Sequence, residues 1–325
     1  TTLISGGADG TIRMWDPETG QRIGKPLTGH IGAVGALATG KHLGASTIIS
    51  GGADGTIRIW DPVAGQPIGA PLTGHTGPVV AVATAPGDEE PAIVSASWDT
   101  MVRIWYPPWD ATVPRALLGH TRQLSTVTAG QATSRRLIVS GGRDATVRMW
   151  ALPDPGDEPP PAGHTDRVRA VRIARFGGRH LIVSGSWDTT VRLWDPITGC
   201  PAGPPLVGHR GAVEAVAAGR IGGRNMIVSG SWDGTVRLWD PATGELAREP
   251  LTGHDGPVGG VAIGRLRNRD VIVSSGSDAT VRLWDPQTGR QLRRPLVGHH
   301  RAIGTIALGG TRTRPIVIST SGDAT

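Results

Sequence analysis

Leu181-Ile182-Val183-Ser184-Gly185-Ser186-Trp187-Asp188-Thr189-Thr190-Val191-Arg192-Leu193-Trp194-Asp195 holds two strands and the turn between them. Leu181 to Ser184 is a short β-branched run of the kind that fills a buried strand. Gly185 to Thr189 carries the small and polar residues of a tight turn, and Thr190 to Trp194 alternates as a second strand does. Upstream, Val168 to Ile173 predicts an inner strand, followed by a turn over Phe176 to His180. Downstream, Asp195-Pro196-Ile197-Thr198-Gly199 places Pro and Gly where turns favour them. A fourth strand is expected to end at Leu206, before Gly208-His209 opens the next unit.

This unit repeats. Tryptophan recurs at 15, 60, 105, 150, 194, 239 and 284, in steps of 45 with a single step of 44. Gly-His keeps the same beat, with histidines at 30, 75, 120, 164, 209, 254 and 299. A period of this length with four short strands is the signature of a propeller blade. The predicted fold is therefore all-β: a seven-bladed propeller of four-stranded antiparallel blades in a single domain over 1–325. The blades fall at about 31–73, 76–118, 121–162, 165–207, 210–252 and 255–297, with 300–325 completed by 1–28.

The second strand is present twice at that closure, as Leu3-Ile4-Ser5-Gly6 and Val317-Ile318-Ser319-Thr320. The N-terminal copy is expected to pair with the inner strand Ile303 to Leu308, leaving the other displaced or paired with a neighbouring molecule. A monomeric ring is expected, with the overhang reading as an excision from a longer array.

Composition narrows the function. The net charge is +6, and 31 of 33 basic residues are arginine, the exceptions being Lys25 and Lys41. One cysteine, Cys200, excludes an internal disulfide framework and fits a reducing, cytoplasmic setting. No stretch has the roughly 20 apolar residues of a membrane span.

Each Gly-His histidine precedes a turn aspartate by 24 residues, and that aspartate precedes a tryptophan by six. The sets are His30, Asp54 and Trp60; His75, Asp99 and Trp105; His120, Asp144 and Trp150; His164, Asp188 and Trp194; His209, Asp233 and Trp239; His254, Asp278 and Trp284. His299 and Trp15 belong to the last blade. With a strand serine such as Ser184, each set predicts a buried Trp–Ser–His–Asp hydrogen-bond chain. Ser, His and Asp also make a nucleophilic triad. One active site would not be copied into every blade, so the sets read as structural and no catalytic residue is assigned. No metal site or cofactor motif appears.

Gly-His, the Ser-Gly-x-x-Asp turn and Thr190-Val191-Arg192-Leu193-Trp194-Asp195 together resemble the WD-repeat β-propeller family over the whole chain. Five repeats carry Trp-Asp; Trp105-Tyr106 and Trp150-Ala151 depart, as do the following segments Pro107-Pro108-Trp109-Asp110 and 152–161, which puts the outer strands of those two blades in question. The close likeness of the repeats is similar to bacterial members. The resemblance implies a protein-interaction scaffold within a larger bacterial signalling or regulatory protein. It also implies that the partner surface is the rim carrying the Gly-His and Ser-Gly-x-x-Asp turns.

On that rim, the residue before the turn aspartate and the start of the inner strand vary between blades. Large or charged groups fall on four consecutive blades: Trp98, Gln123, Arg143, Arg167, Arg169, Trp187, Glu214 and Trp232. Exposed Trp and Arg are frequent binding hot spots, and an acidic or aromatic protein segment is the expected partner. The alternative is a lyase or hydrolase site built on Glu214, Arg143, Arg167 and Arg169, with no second acid to support it. The opposite rim carries Arg135, Arg136, Arg175, Arg179, Arg220, Arg224, Arg265, Arg267, Arg269, Arg312 and Arg314, interrupted by Asp88-Glu89-Glu90. It has a single aromatic among the arginines, Phe176, so a solvated rim is favoured over a nucleic-acid or phosphate surface.

Overall fold

The computed structural model describes residues 2–16, 19, 21–85, 91–107, 114–132, 135–152, 163–266, 269–310 and 315–321. Asp88-Glu89-Glu90, Pro108-Trp109-Asp110, 153–161, Arg267, Arg312 and Arg314 lie outside them. Among the described residues every regular element is a strand and every pairing is antiparallel. The chain forms two compact units, Thr1–Ala162 and Gly163–Thr325.

The unit read from sequence folds in place. Val168–Phe176 pairs with Arg179–Ser186, which pairs with Val191–Trp194. The first hairpin is tighter than expected. Its strands run on to a two-residue Gly177-Gly178 turn, where φ values of 57° and 95° match the twist of the flanking strands. The fourth strand is weaker than expected. It survives only as bridges from Val191 to Leu206 and from Trp194 to Pro201. Pro204 and Pro205 carry no amide hydrogen for a ladder there. In the blade of Trp105-Tyr106 the outer strand is present, Arg115–Leu117 pairing with Val102–Trp105.

Blades pack face to face within each unit. In the second unit Val183, Val191, Leu193, Val213, Val216, Ile227 and Trp239 form one buried cluster. A Cβ on Gly185 would come within 2.7 Å of Val213, and one on Gly230 within 2.6 Å of Val258. Glycine at these two positions sets how closely the next inner strand can approach.

The described inner strands share a bulge at the same place. In the Trp194 blade the register passes from Val168↔Ser186 to Ala170↔Gly185, leaving Arg169 extra. The matching extra residues are Gly35, Val80, Ser125, Glu214, Gly259 and Gly304. A bulge re-aims the residue it carries.

The terminal sheets correct one expectation. Ile303–Gly310 pairs with Pro315–Ser321, so the inner strand takes the C-terminal copy of the second strand as its neighbour. The N-terminal copy, Leu3–Gly6, pairs with Ile12–Trp15 instead. Each copy pairs with the strand it reaches through a short connection, where loop closure costs least.

The turn before each third strand holds its residue after the Asp in left-handed backbone. Glycine occupies it at Gly10, Gly55 and Gly234, but Thr100, Ala145, Thr189 and Ala279 adopt φ of 72°, 65°, 70° and 57°. This backbone is most costly for β-branched residues. Thr189→Gly is therefore expected to stabilise the protein by about 1 kcal/mol, read as a higher midpoint in thermal or urea unfolding. A lower midpoint would refute this account of the turn.

Candidate functional site

The repeated polar residues form the predicted chain. Trp60, Trp105, Trp194, Trp239 and Trp284 donate from Nε1 to Ser50, Ser95, Ser184, Ser229 and Ser274 at 2.8–2.9 Å. Each of these serines lies 2.7–2.8 Å from a histidine Nε2. The blade of Trp150 shares the rest of the arrangement, with His120 Nε2 at 2.7 Å from Ser140. The other imidazole nitrogen, Nδ1, meets Asp54, Asp99, Asp144, Asp188, Asp233 or Asp278 at 2.7–3.1 Å.

One proton arrangement satisfies the chain: indole N–H to serine, serine O–H to Nε2, and Nδ1–H to carboxylate. The aspartate also accepts the backbone N–H after the histidine, as Asp188 does from Thr165 at 3.0 Å. The serines have no exposed surface. A hydroxyl sealed there and already bonded to an indole cannot reach a substrate, so these sets hold the blade.

The terminal sheets each retain part of the chain. Trp15 donates to Ser5 at 2.8 Å, while His299 Nε2 lies 2.9 Å from Ser319. Asp9 bonds Thr11 and Arg13.

Burial holds the imidazoles of His30, His75, His164, His209 and His254 below their ordinary value, against the opposing pull of each aspartate. Burial alone would raise the aspartates. Hydrogen bonds from histidine and backbone outweigh it, holding Asp144 at about 2.

The variable rim residues gather into two groups, one in each unit. Backbone bonds fix their pairing: Arg143 N–H donates to Gln123 O at 2.8 Å, Trp187 to Arg167 at 2.9 Å and Trp232 to Ala212 at 2.9 Å. In the first unit the Arg143 guanidinium lies 5.7 Å from the Trp98 ring centre. The group in the second unit is more tightly connected. Arg167 stacks over Trp187 at 4.2 Å, and Trp187 and Trp232 meet at 5.0 Å between centroids. The Glu214 carboxylate joins the rest, accepting from Trp187 Nε1 and from Arg169 Nε, each at 2.8 Å. Arg169 and Glu214 are the bulge residues of adjacent blades, so the bulges bring this ion pair together.

Glu214 is largely covered, and both its oxygens are engaged. It acts here as a fixed acceptor. Trp98 and Trp232 remain 44% and 48% exposed, and among the described residues their indole N–H groups have no acceptor.

On the basic rim, Arg179 pairs with Asp195, Arg265 with Asp270 and Arg269 with Asp285. In each pair the arginine is exposed, so solvent screens the attraction, but the pairs neutralise part of the rim's charge. Among the described residues no group of His, Cys, Asp and Glu could hold a metal ion, and no helix is long and apolar enough to cross a membrane.

The family model "WD domain, G-beta repeat" matches the chain seven times, over 1–16, 20–61, 65–106, 112–151, 161–195, 204–240 and 244–285. The chain belongs to the WD40 repeat family. Its fold is that family's all-β, seven-bladed propeller. A computationally designed protein, Ika8, is similar in structure, with a TM-score of 0.78 and 28% identity over 100% of this chain and 91% of that one. The WD40 β-propeller domain of Doa1 matches with a TM-score of 0.66 and 21% identity, over 99% of this chain and 95% of that one. No curated protein matches the chain significantly. WD40 propellers are generally scaffolds for protein partners.

Sequence reasoning missed Arg172. Ala38, Ala83, Thr128, Ala217 and Ala262 occupy its place in other inner strands, so the signal was there in the repeat alignment.

Acidification should weaken this WD40 domain in two stages. The imidazole values are depressed, so the unfolded chain binds more protons as pH falls below the ordinary 6.5. Stability present above that pH is then lost. Where the carboxylates are depressed, a second loss begins below 3.8. Thermal melting between about pH 8 and pH 3 checks this, and a midpoint that holds or rises between pH 7 and pH 5 would contradict it.

Proposed function

We propose that this chain is a non-catalytic recognition module that holds an acidic or aromatic protein segment on its Gly-His rim. The group Arg167, Arg169, Trp187, Glu214 and Trp232 forms the site. The observation that carries this reading is the state of the Arg/Trp group. Trp187 is braced by Arg167 on its ring and by Glu214 at its nitrogen. The neighbouring Trp232 is half open to solvent.

A rigid, half-exposed indole beside guanidinium groups offers large contact area at small entropic loss, which is how interface hot spots work. The two arginines outnumber the one carboxylate among them, so the local charge is positive and favours acidic partners. The enzymatic alternative is weakened by Glu214, whose oxygens are already taken by Arg169 and Trp187. The nucleic-acid alternative is weakened by the aspartate partners of Arg179, Arg265 and Arg269. A cytoplasmic setting within a bacterial regulatory protein belongs to the same proposal. It is supported by the lone, exposed thiol of Cys200 and by the close likeness of the repeats.

The test pairs Arg167→Ala with Trp187→Ala and compares capture of partners from cell extract by quantitative mass spectrometry. Specific partners should fall about tenfold or more, as loss of two hot-spot side chains implies, with the melting midpoint kept within a few degrees. Equal recovery of every partner by a folded double variant would remove the rim group as the site.

A further inference from the structure

One inner strand differs from the others in charge. Val168–Phe176 carries Arg169, Arg172 and Arg175, and Arg167 immediately precedes it. The neighbouring strand Val213–Ile221 has Glu214 and Arg220, and Val258–Leu266 has Arg265. A basic residue at the strand end therefore recurs, but one at the position of Arg172 does not.

Arg172 pairs across the sheet with Val183, in a part of the strand flanked by Val171 and Ile173. Its NH1 folds back on its own strand, donating to the Val171 carbonyl at 2.9 Å. The side chain is exposed, and desolvation by the surrounding protein holds it below the ordinary arginine value. Among the described residues no carboxylate pairs with it. The alanines at the same place in other blades, Ala38, Ala83, Ala217 and Ala262, show that the fold does not need it.

We propose that Arg172 is an inner anion subsite of the rim site, taking a carboxylate of an acidic protein segment that also crosses Arg169 and Trp232. This rests on the rim reading given above. Arg169 and Arg172 are three residues apart on one strand, about 10 Å at the usual strand rise. An extended peptide with acidic residues two to four positions apart spans that interval. The terminal nitrogens of Arg169 have no partner among the described residues, since only its Nε is engaged by Glu214. They form the outer anion position and Arg172 the inner one. An acidic protein segment is favoured over a nucleic acid because Glu214, between the arginine and the tryptophans, repels a continuous phosphate backbone. Discrete carboxylates can avoid it.

Fluorescein-labelled hexaglutamate, with hexaglutamine as the uncharged control, provides the probe, read by fluorescence anisotropy at low salt on the full chain. Hexaglutamate should bind and hexaglutamine should not. Arg172→Ala should weaken binding about tenfold, the size of one charge-assisted hydrogen bond, and Arg172→Lys should recover part of it. Arg172→Ala should also melt within a few degrees of the parent, since the side chain is exposed and alanine stands at this place in other blades. Should Arg172→Ala bind within twofold of the parent while Arg167→Ala with Trp187→Ala abolishes binding, the inner subsite is wrong and the rim reading stands. If the parent protein binds no hexaglutamate, the inner subsite falls together with the acidic form of the rim reading, and the aromatic form stands or falls by the Arg167→Ala with Trp187→Ala capture. A melting midpoint several degrees lower in Arg172→Ala would make the residue structural. Tighter binding of a single-stranded oligodeoxynucleotide of equal charge, with a steep salt dependence, would replace the acidic segment by nucleic acid.

Discussion

The serine hydroxyl at the centre of each complete blade is the contact on which the rest depends. It accepts the tryptophan N–H from the third strand and reaches the histidine that precedes the inner strand, and the histidine fixes the turn aspartate. Four parts of the chain, far apart in sequence, thereby share one set of hydrogen bonds. In the Trp194 blade the serine, tryptophan and histidine are buried and the aspartate partly so, so loss of any one leaves a buried neighbour unsatisfied, at a penalty larger than the net worth of a single bond. The geometry also explains why Ser, His and Asp can recur at triad-like distances without chemistry, since the nucleophilic atom is sealed beneath the sheet.

Above this frame, the rim can differ from blade to blade. The residue before the turn aspartate is held by a backbone bond to the residue just before the inner strand, whatever the two side chains are. Ala53 bonds Ala33 at 2.8 Å, and Trp187 bonds Arg167 at 2.9 Å. Fixed backbone pairing with free choice of side chain lets one blade offer alanines where another offers an indole under a guanidinium. In the second unit, that freedom has produced a braced cluster with one half-open tryptophan at its margin.

The frame was largely legible in the sequence, because period and spacing follow from local rules of strand length and turn composition. The 24-residue step from His164 to Asp188 translates directly into a hydrogen bond. Other features depend on what the chain meets after folding. The fourth strand is reduced to bridges in the blades of Trp194, Trp239 and Trp284 alike, which the strand pattern does not suggest. The choice of the C-terminal copy by Ile303–Gly310 could not be read from composition, since the two copies are alike and each has a near neighbour. Trp98, Arg143, Trp187 and Glu214 were legible as variable rim residues. Their grouping was not, because it needs the bulges and the distances between adjacent blades. Arg172 lies further along its strand than the rim positions at which blades were expected to differ.

The bulge in each inner strand also has a bearing on how the protein can change over time. An extra residue at one point resets the alternation of the strand, so the side chain it carries is uncoupled from the faces that pack below. Gly35, Val80, Ser125, Arg169, Glu214 and Gly259 span the smallest side chain to the largest cation at this single place. Two positions further on, Val127, Val171, Val216 and Val261 are all buried valines. A lineage carrying this repeat can therefore explore new recognition chemistry one blade at a time by point substitution, without first repairing the interior.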